Sequence, residues 1–164
     1  MVTLYPICTT MNTKYTATLA AMLAVPALVV SCDGRNYSTP EGFFTGQIKL
    51  LKDFTEAAKA CYDDNIADME TALKELIETQ KLLAKGVEGM TPEQQAEISR
   101  KLRKDKSHYG HELEEVGEAL NEAMKALDER LGHDSQKKLK PLLDEWRAAR
   151  RQTLKPLRQY RDMD

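Results

Sequence analysis

Ala24-Val25-Pro26-Ala27-Leu28-Val29-Val30-Ser31-Cys32-Asp33 is the stretch on which the fold turns. It is the most apolar run of the chain, and it is a buried core segment, a membrane span or an address label cut at the cysteine. Charge separates these readings. Of the 24 basic and 26 acidic side chains, only Lys14 falls within residues 1–31. Two differently composed pieces therefore meet near Cys32. A span needs about 20 apolar residues, and Pro26 interrupts this one, so crossing fits less well than a label.

Residues 1–31 read as a targeting segment: Lys14 is the positive region, residues 19–30 are an uncharged apolar region of about a dozen residues, and Ser31 is the small residue beside a cut. Val29-Val30-Ser31-Cys32 resembles the lipobox of bacterial lipoproteins, although that class favours leucine where Val29 stands and a smaller residue where Val30 stands. The resemblance implies cleavage between Ser31 and Cys32, diacylglycerol on the Cys32 sulfur as the covalent lipid, and no other cofactor. It implies a location in the bacterial cell envelope, lipid-anchored to a membrane and facing the periplasm or exterior. It covers only the N-terminal segment. Asp33 resembles the signal that keeps enterobacterial lipoproteins in the inner membrane, a rule that varies among bacteria and leaves the leaflet open. Residues 1–10 fit the label badly, and Met11-Asn12-Thr13-Lys14 would be an ordinary start, so Met11 is the expected initiator. Cys61 is then the one thiol left in an exported domain.

Residues 32–46 are expected to be a flexible tether, because Gly34, Asn36, Ser38, Thr39, Pro40, Gly42 and Gly46 crowd it. Phe43 and Phe44 interrupt that composition, as a cap on the domain's end or as a contact with the membrane interface.

From residue 47 the apolar spacing is helical. The composition agrees, with 41% hydrophobic, 30% charged and 6% aromatic residues suiting exposed helices around a narrow core. The expected fold is all-α, an antiparallel three-helix, coiled-coil-like bundle with helices at about 47–86, 92–131 and 135–161. The first carries Ile48, Leu51, Ala58, Tyr62, Ile66, Met69, Leu73 and Leu76 and stops near Gly86 and Gly89. Thr91-Pro92-Glu93-Gln94 is a capping box that opens the second, and Gly132 is its C′ glycine. Asp134 or Ser135 caps the third. Antiparallel folding sets Met69 against Tyr109, Tyr62 against Val116 and Leu120 against Trp146. Gly110 and Gly117 permit close helix approach or are weak spots.

Charge is unevenly spread within these helices. Glu115 and Glu118 are expected to approach Arg147, Arg150 and Arg151, while the surplus basic end, Arg150, Arg151, Lys155, Arg158 and Arg161, is the candidate contact with anionic lipid or a cell-wall polymer. A formal net charge of −2 does not draw the chain to nucleic acid. His108 and His111 with Glu115 are the only ligand-like cluster, three or four residues apart on one helix face, and are the candidate metal site. No catalytic triad, phosphate loop or CxxC pattern is found, so no catalytic residue is assigned and the domain is read as a binding or scaffolding module for an unknown envelope protein. Met90-Thr91-Pro92-Glu93-Gln94 is similar to the LTxxQ motif of small helical periplasmic chaperones and metal-stress proteins, and that resemblance implies a stress chaperone or metal-binding protein as the alternative.

Overall fold

The computed structural model describes residues 36–103 and 107–160. These form five α-helices, α1 (Pro40–Ala60), α2 (Ile66–Glu88), α3 (Pro92–Lys101), α4 (His108–Arg130) and α5 (His133–Leu154), with short 3-10 turns at Asp63–Asn65 and Arg158–Tyr160 and no strand among the described residues. The described residues are all-helical, as their periodicity predicts. The three-helix arrangement is not what these residues adopt, because two of the expected helices are interrupted.

The first break falls at Cys61, whose backbone is extended (φ −82°, ψ 134°). Asn65 holds it: its side-chain oxygen accepts from the Tyr62 N–H at 2.6 Å, and its amide donates to the Ala60 carbonyl at 2.9 Å. The chain therefore reverses, and α1 and α2 form an antiparallel hairpin. The second break precedes Ser107, which caps α4 by accepting from the Gly110 N–H at 3.0 Å. Gly132 is not a left-handed C′ residue. At φ −66° and ψ 161° it is the N-cap of α5, which starts before Asp134 and Ser135. Its N–H donates to both oxygens of Asp63 at 3.1 and 3.2 Å. Hydrogen bonds from Ser135 and Gly132 hold the Asp63 carboxyl below the usual carboxylate range.

Two antiparallel hairpins, α1–α2 and α4–α5, pack side by side. α1 lies parallel to α4: Phe44 stacks on Tyr109 at 4.6 Å near the start of both helices, and Arg130 donates to the Ala58 carbonyl near their ends. α2 lies parallel to α5 in the same way, from the Asp63–Gly132 contact to a Gln80–Thr153 hydrogen bond of 2.7 Å. The contacts α1·α2, α1·α4 and α2·α5 close three sides of a square, while the backbones of α4 and α5 scarcely approach. Trp146 of α5 crosses the diagonal to meet the Phe54 ring edge-on at 4.7 Å. The registers expected for a three-helix bundle are lost accordingly. Tyr109 meets Phe44 instead of Met69, and Tyr62 is exposed beneath the Arg130 guanidinium, 4.4 Å from its ring centre.

Residues 36–46 are not a tether. Tyr37 is 1% exposed, Phe43 and Phe44 are wholly buried, and α1 begins at Pro40 under a Thr39 cap. Small residues make room for this opening segment. A β-carbon on Gly86 would lie 2.3 Å from the Tyr37 carbonyl oxygen, and one on Gly46 would lie 2.6 Å from the Tyr37 ring. Gly46 of the expected tether and Gly86 of the expected helix stop are therefore sites of close packing, and α2 runs on past Gly86 to Glu88.

Gly110 and Gly117 divide on the same criterion. A β-carbon on Gly110 would meet the Arg103 carbonyl oxygen at 2.4 Å, whereas one on Gly117 would meet nothing within 4 Å. Gly117→Ala is expected to raise stability by about 1 kcal/mol through helix propensity alone. Gly110→Ala is expected to lower it, because the α3–α4 connection must shift. Urea unfolding of both variants checks the pair, and a gain at Gly110 or a loss at Gly117 would contradict this packing.

Candidate functional site

One end of the bundle gathers what the sequence singles out. The chain enters here at Asn36 and lodges Tyr37 against Gly46 of α1 and Gly86 of α2. Across the same end runs α3, which joins the last turn of α2 to the first of α4 and packs on α1, α4 and the 3-10 turn after α5. Gln95 fastens it, donating to the Val87 carbonyl at 2.8 Å. Buried Ile98 and Leu157 lie beneath. We call this the proximal end, and the end holding Tyr62, Asp63 and Gly132 the distal end.

Exposed basic side chains cluster proximally: Lys85 on α2, Arg100 and Arg103 at the end of α3, and Arg151, Lys155 and Arg158 at and beyond the end of α5. Exposed Glu41, Glu88 and Glu93 offset part of this charge. The distal end carries the opposite excess. Asp63, Asp64, Asp68, Asp128, Glu129 and Asp134 are exposed there against Lys59, Lys125, Lys137 and Lys138. The bundle is therefore polarised from end to end, although its net charge is small.

Of the basic residues singled out from sequence, Arg151, Lys155 and Arg158 are exposed at this end, and Arg161 lies outside the described residues. Arg150 is different. It turns into the open α4/α5 side, with its guanidinium 5.6 Å from the Trp146 ring centre, and burial lowers its pKa from the ordinary arginine value. There it lines a groove of about 370 Å³ with Phe43, Gln47, Leu102, Leu113 and Leu154. The expected pairing of Glu115 and Glu118 with the α5 arginines is not seen. Glu115 pairs within its own helix with His111 at 3.3 Å, and Arg147 pairs with Asp144 at 3.0 Å.

The metal cluster does not assemble either. His108 faces Glu112 at 3.6 Å and His111 faces Glu115 at 3.3 Å, two separate i,i+4 pairs on an exposed surface. Among the described residues no three His, Cys, Asp or Glu side chains converge as an ion-holding group. Thr91 and Gln94 are both spent on the capping box, with the Thr91 hydroxyl accepting from the Gln94 N–H at 3.3 Å and the Gln94 side chain accepting from the Thr91 N–H at 3.0 Å. Cys61 is a free thiol, and burial raises its pKa, which disfavours the reactive thiolate. Ser31 and Cys32 lie outside the described residues, as does the rest of the expected signal segment. No described helix is long and apolar enough to cross a membrane.

Sequence reasoning missed one buried polar group. Gln47 of α1, Gln80 of α2 and Thr153 of α5 meet in the core between apolar layers. The two amides exchange hydrogen bonds of 3.2 and 3.4 Å, and Gln80 also donates to the Thr153 hydroxyl at 2.7 Å. Apolar spacing cannot find such a cluster, since it takes polar residues as the solvent face. No family model, curated protein or solved structure matches the chain, so fold and site stand on these residues alone.

Proposed function

We propose that the chain is a bacterial envelope lipoprotein, anchored by diacylglycerol on Cys32, whose helical domain binds or scaffolds and does not catalyse. The observation that carries this reading is the junction itself. The lipobox-like Val29-Val30-Ser31-Cys32 ends four residues before Asn36, where the chain locks into the proximal end of the bundle. Four residues span at most about 14 Å when extended. A lipid on Cys32 would hold the domain against its membrane rather than on a long leash.

The absence of a catalytic role is part of the same proposal, and it is supported by how the chemistry-bearing groups are used. His108 and His111 are engaged by glutamates of their own helix, Thr91 and Gln94 cap α3, and the Cys61 thiol is buried. On this reading the domain acts through surface complementarity. The partner is a component of the envelope, protein or polymer, met by the faces directed away from the membrane.

Incorporation of radiolabelled palmitate tests the anchor. Wild-type chain expressed in a bacterium is expected to take up label and partition with membranes, and Cys32→Ala is expected to lose the label. Equal labelling of the two would remove the reading.

A further inference from the structure

Resting on the reading of Cys32 as a lipid anchor, we infer that the proximal end is a membrane-docking face: Lys85, Arg100, Arg103, Arg151, Lys155 and Arg158 seat on anionic phospholipid headgroups and stand the bundle upright. Three observations lead here. The basic side chains come from α2, α3 and α5, elements far apart in sequence, yet they are exposed at the one end where the chain emerges toward Cys32. The acidic excess lies at the opposite end. α1 is 21 residues long, and at 1.5 Å per residue the two ends are about 30 Å apart.

That separation decides the electrostatics. The potential of an anionic membrane decays over a Debye length of about 8–10 Å at physiological ionic strength. A bundle held proximal end down places its basic residues within that layer and its acidic end several Debye lengths outside it. A bundle lying flat brings acidic and basic residues to the surface together and loses the advantage. Glu41, Glu88 and Glu93 weaken the proximal excess without reversing it, and α3, laid across the end, presents Arg100 and Arg103 outward. Each basic residue held at an anionic surface favours the bound state about five-fold.

Amine labelling of the full lipidated chain in vesicles tests the orientation, with mass spectrometry reading each lysine and the lipid on the Cys32 peptide in one run. In phosphatidylglycerol vesicles, labelling of Lys85 and Lys155 is expected to fall about five-fold or more below its value in phosphatidylcholine vesicles. Lys59, Lys137 and Lys138 are expected to label equally in both, and salt at about 1 M, where the Debye length is about 3 Å, is expected to erase the difference. The exposed triple variant Arg151→Glu, Lys155→Glu, Arg158→Glu is expected to restore labelling of Lys85. Lipid on Cys32 with no difference between the two vesicle types overturns the docking face and leaves the anchor standing. No lipid on Cys32 overturns both. Protection of Lys85 by peptidoglycan but not by phosphatidylglycerol also overturns it, since the face would then be for a wall polymer.

Discussion

Gln80→Ala is expected to lower the unfolding free energy by about 3 kcal/mol, read as a shift of the urea midpoint without a change in slope. Gln80 is wholly buried at the meeting point of α1, α2 and α5. Its removal strips the Gln47 amide of its partner and the Thr153 hydroxyl of a donor, and each buried polar group left unmade costs about 1–3 kcal/mol. Thr153 keeps its bond to the Ala149 carbonyl at 3.0 Å, so the larger share of the loss falls on Gln47. The combined variant Gln47→Leu, Gln80→Leu, Thr153→Val is expected to recover most or all of the loss, because removing every member leaves nothing unsatisfied. What it should sacrifice is register, since the cluster pins α1, α2 and α5 to one height at Gln47, Gln80 and Thr153. A single-variant loss below about 1 kcal/mol, or a combined variant worse than Gln80→Ala, would show that the cluster does not act as a unit.

Gly86→Ala is expected to cost about 2–3 kcal/mol. The added carbon cannot coexist with a carbonyl oxygen at 2.3 Å, so Tyr37 must leave its niche. Exposing one large buried side chain costs about 1.5–3 kcal/mol. The consequence reaches function as well as stability, because expelling residues 36–39 would lengthen the link between Cys32 and the bundle and free the proximal end from its fixed height. Tyr37→Ala in the Gly86→Ala background is expected to add little, whereas in the wild type it costs nearly as much as Gly86→Ala. Additive losses would place the clash elsewhere.

The helical class was legible because the apolar steps of three and four persist through Leu73, Leu76 and Leu83 and through Val116, Leu120 and Leu127, all buried as the stripes require. The breaks were not legible from periodicity. Ala58, Tyr62, Ile66 and Met69 keep helical spacing across the α1–α2 turn, so the reversal is signalled only by Asp63-Asp64-Asn65, a run of residues that favour turns and caps. Ser107, at the end of a charged run, was the matching sign for the start of α4. Glycines misled for another reason. Composition treats Gly42 and Gly46 as looseness and Gly86 as a helix stop, while each is the missing β-carbon that lets residues 36 and 37 pack. Of the candidate site, Arg151, Lys155 and Arg158 could be named from charge alone. That Lys85, Arg100 and Arg103 join them depended on the reversal at Cys61 and on α3 crossing the bundle's end, neither of which spacing reveals.

Anchoring and docking both require Cys32 to be the lipidated first residue, four positions before Asn36. Intact-mass measurement of the protein extracted from membranes tests it most directly. The expected product begins at Cys32, carries the added mass of a diacylglycerol on that residue, and gives no peptide from residues 1–31. A chain that retains residues upstream of Cys32, or one whose Cys32 is an unmodified thiol, would contradict the anchor and with it the membrane-seated bundle.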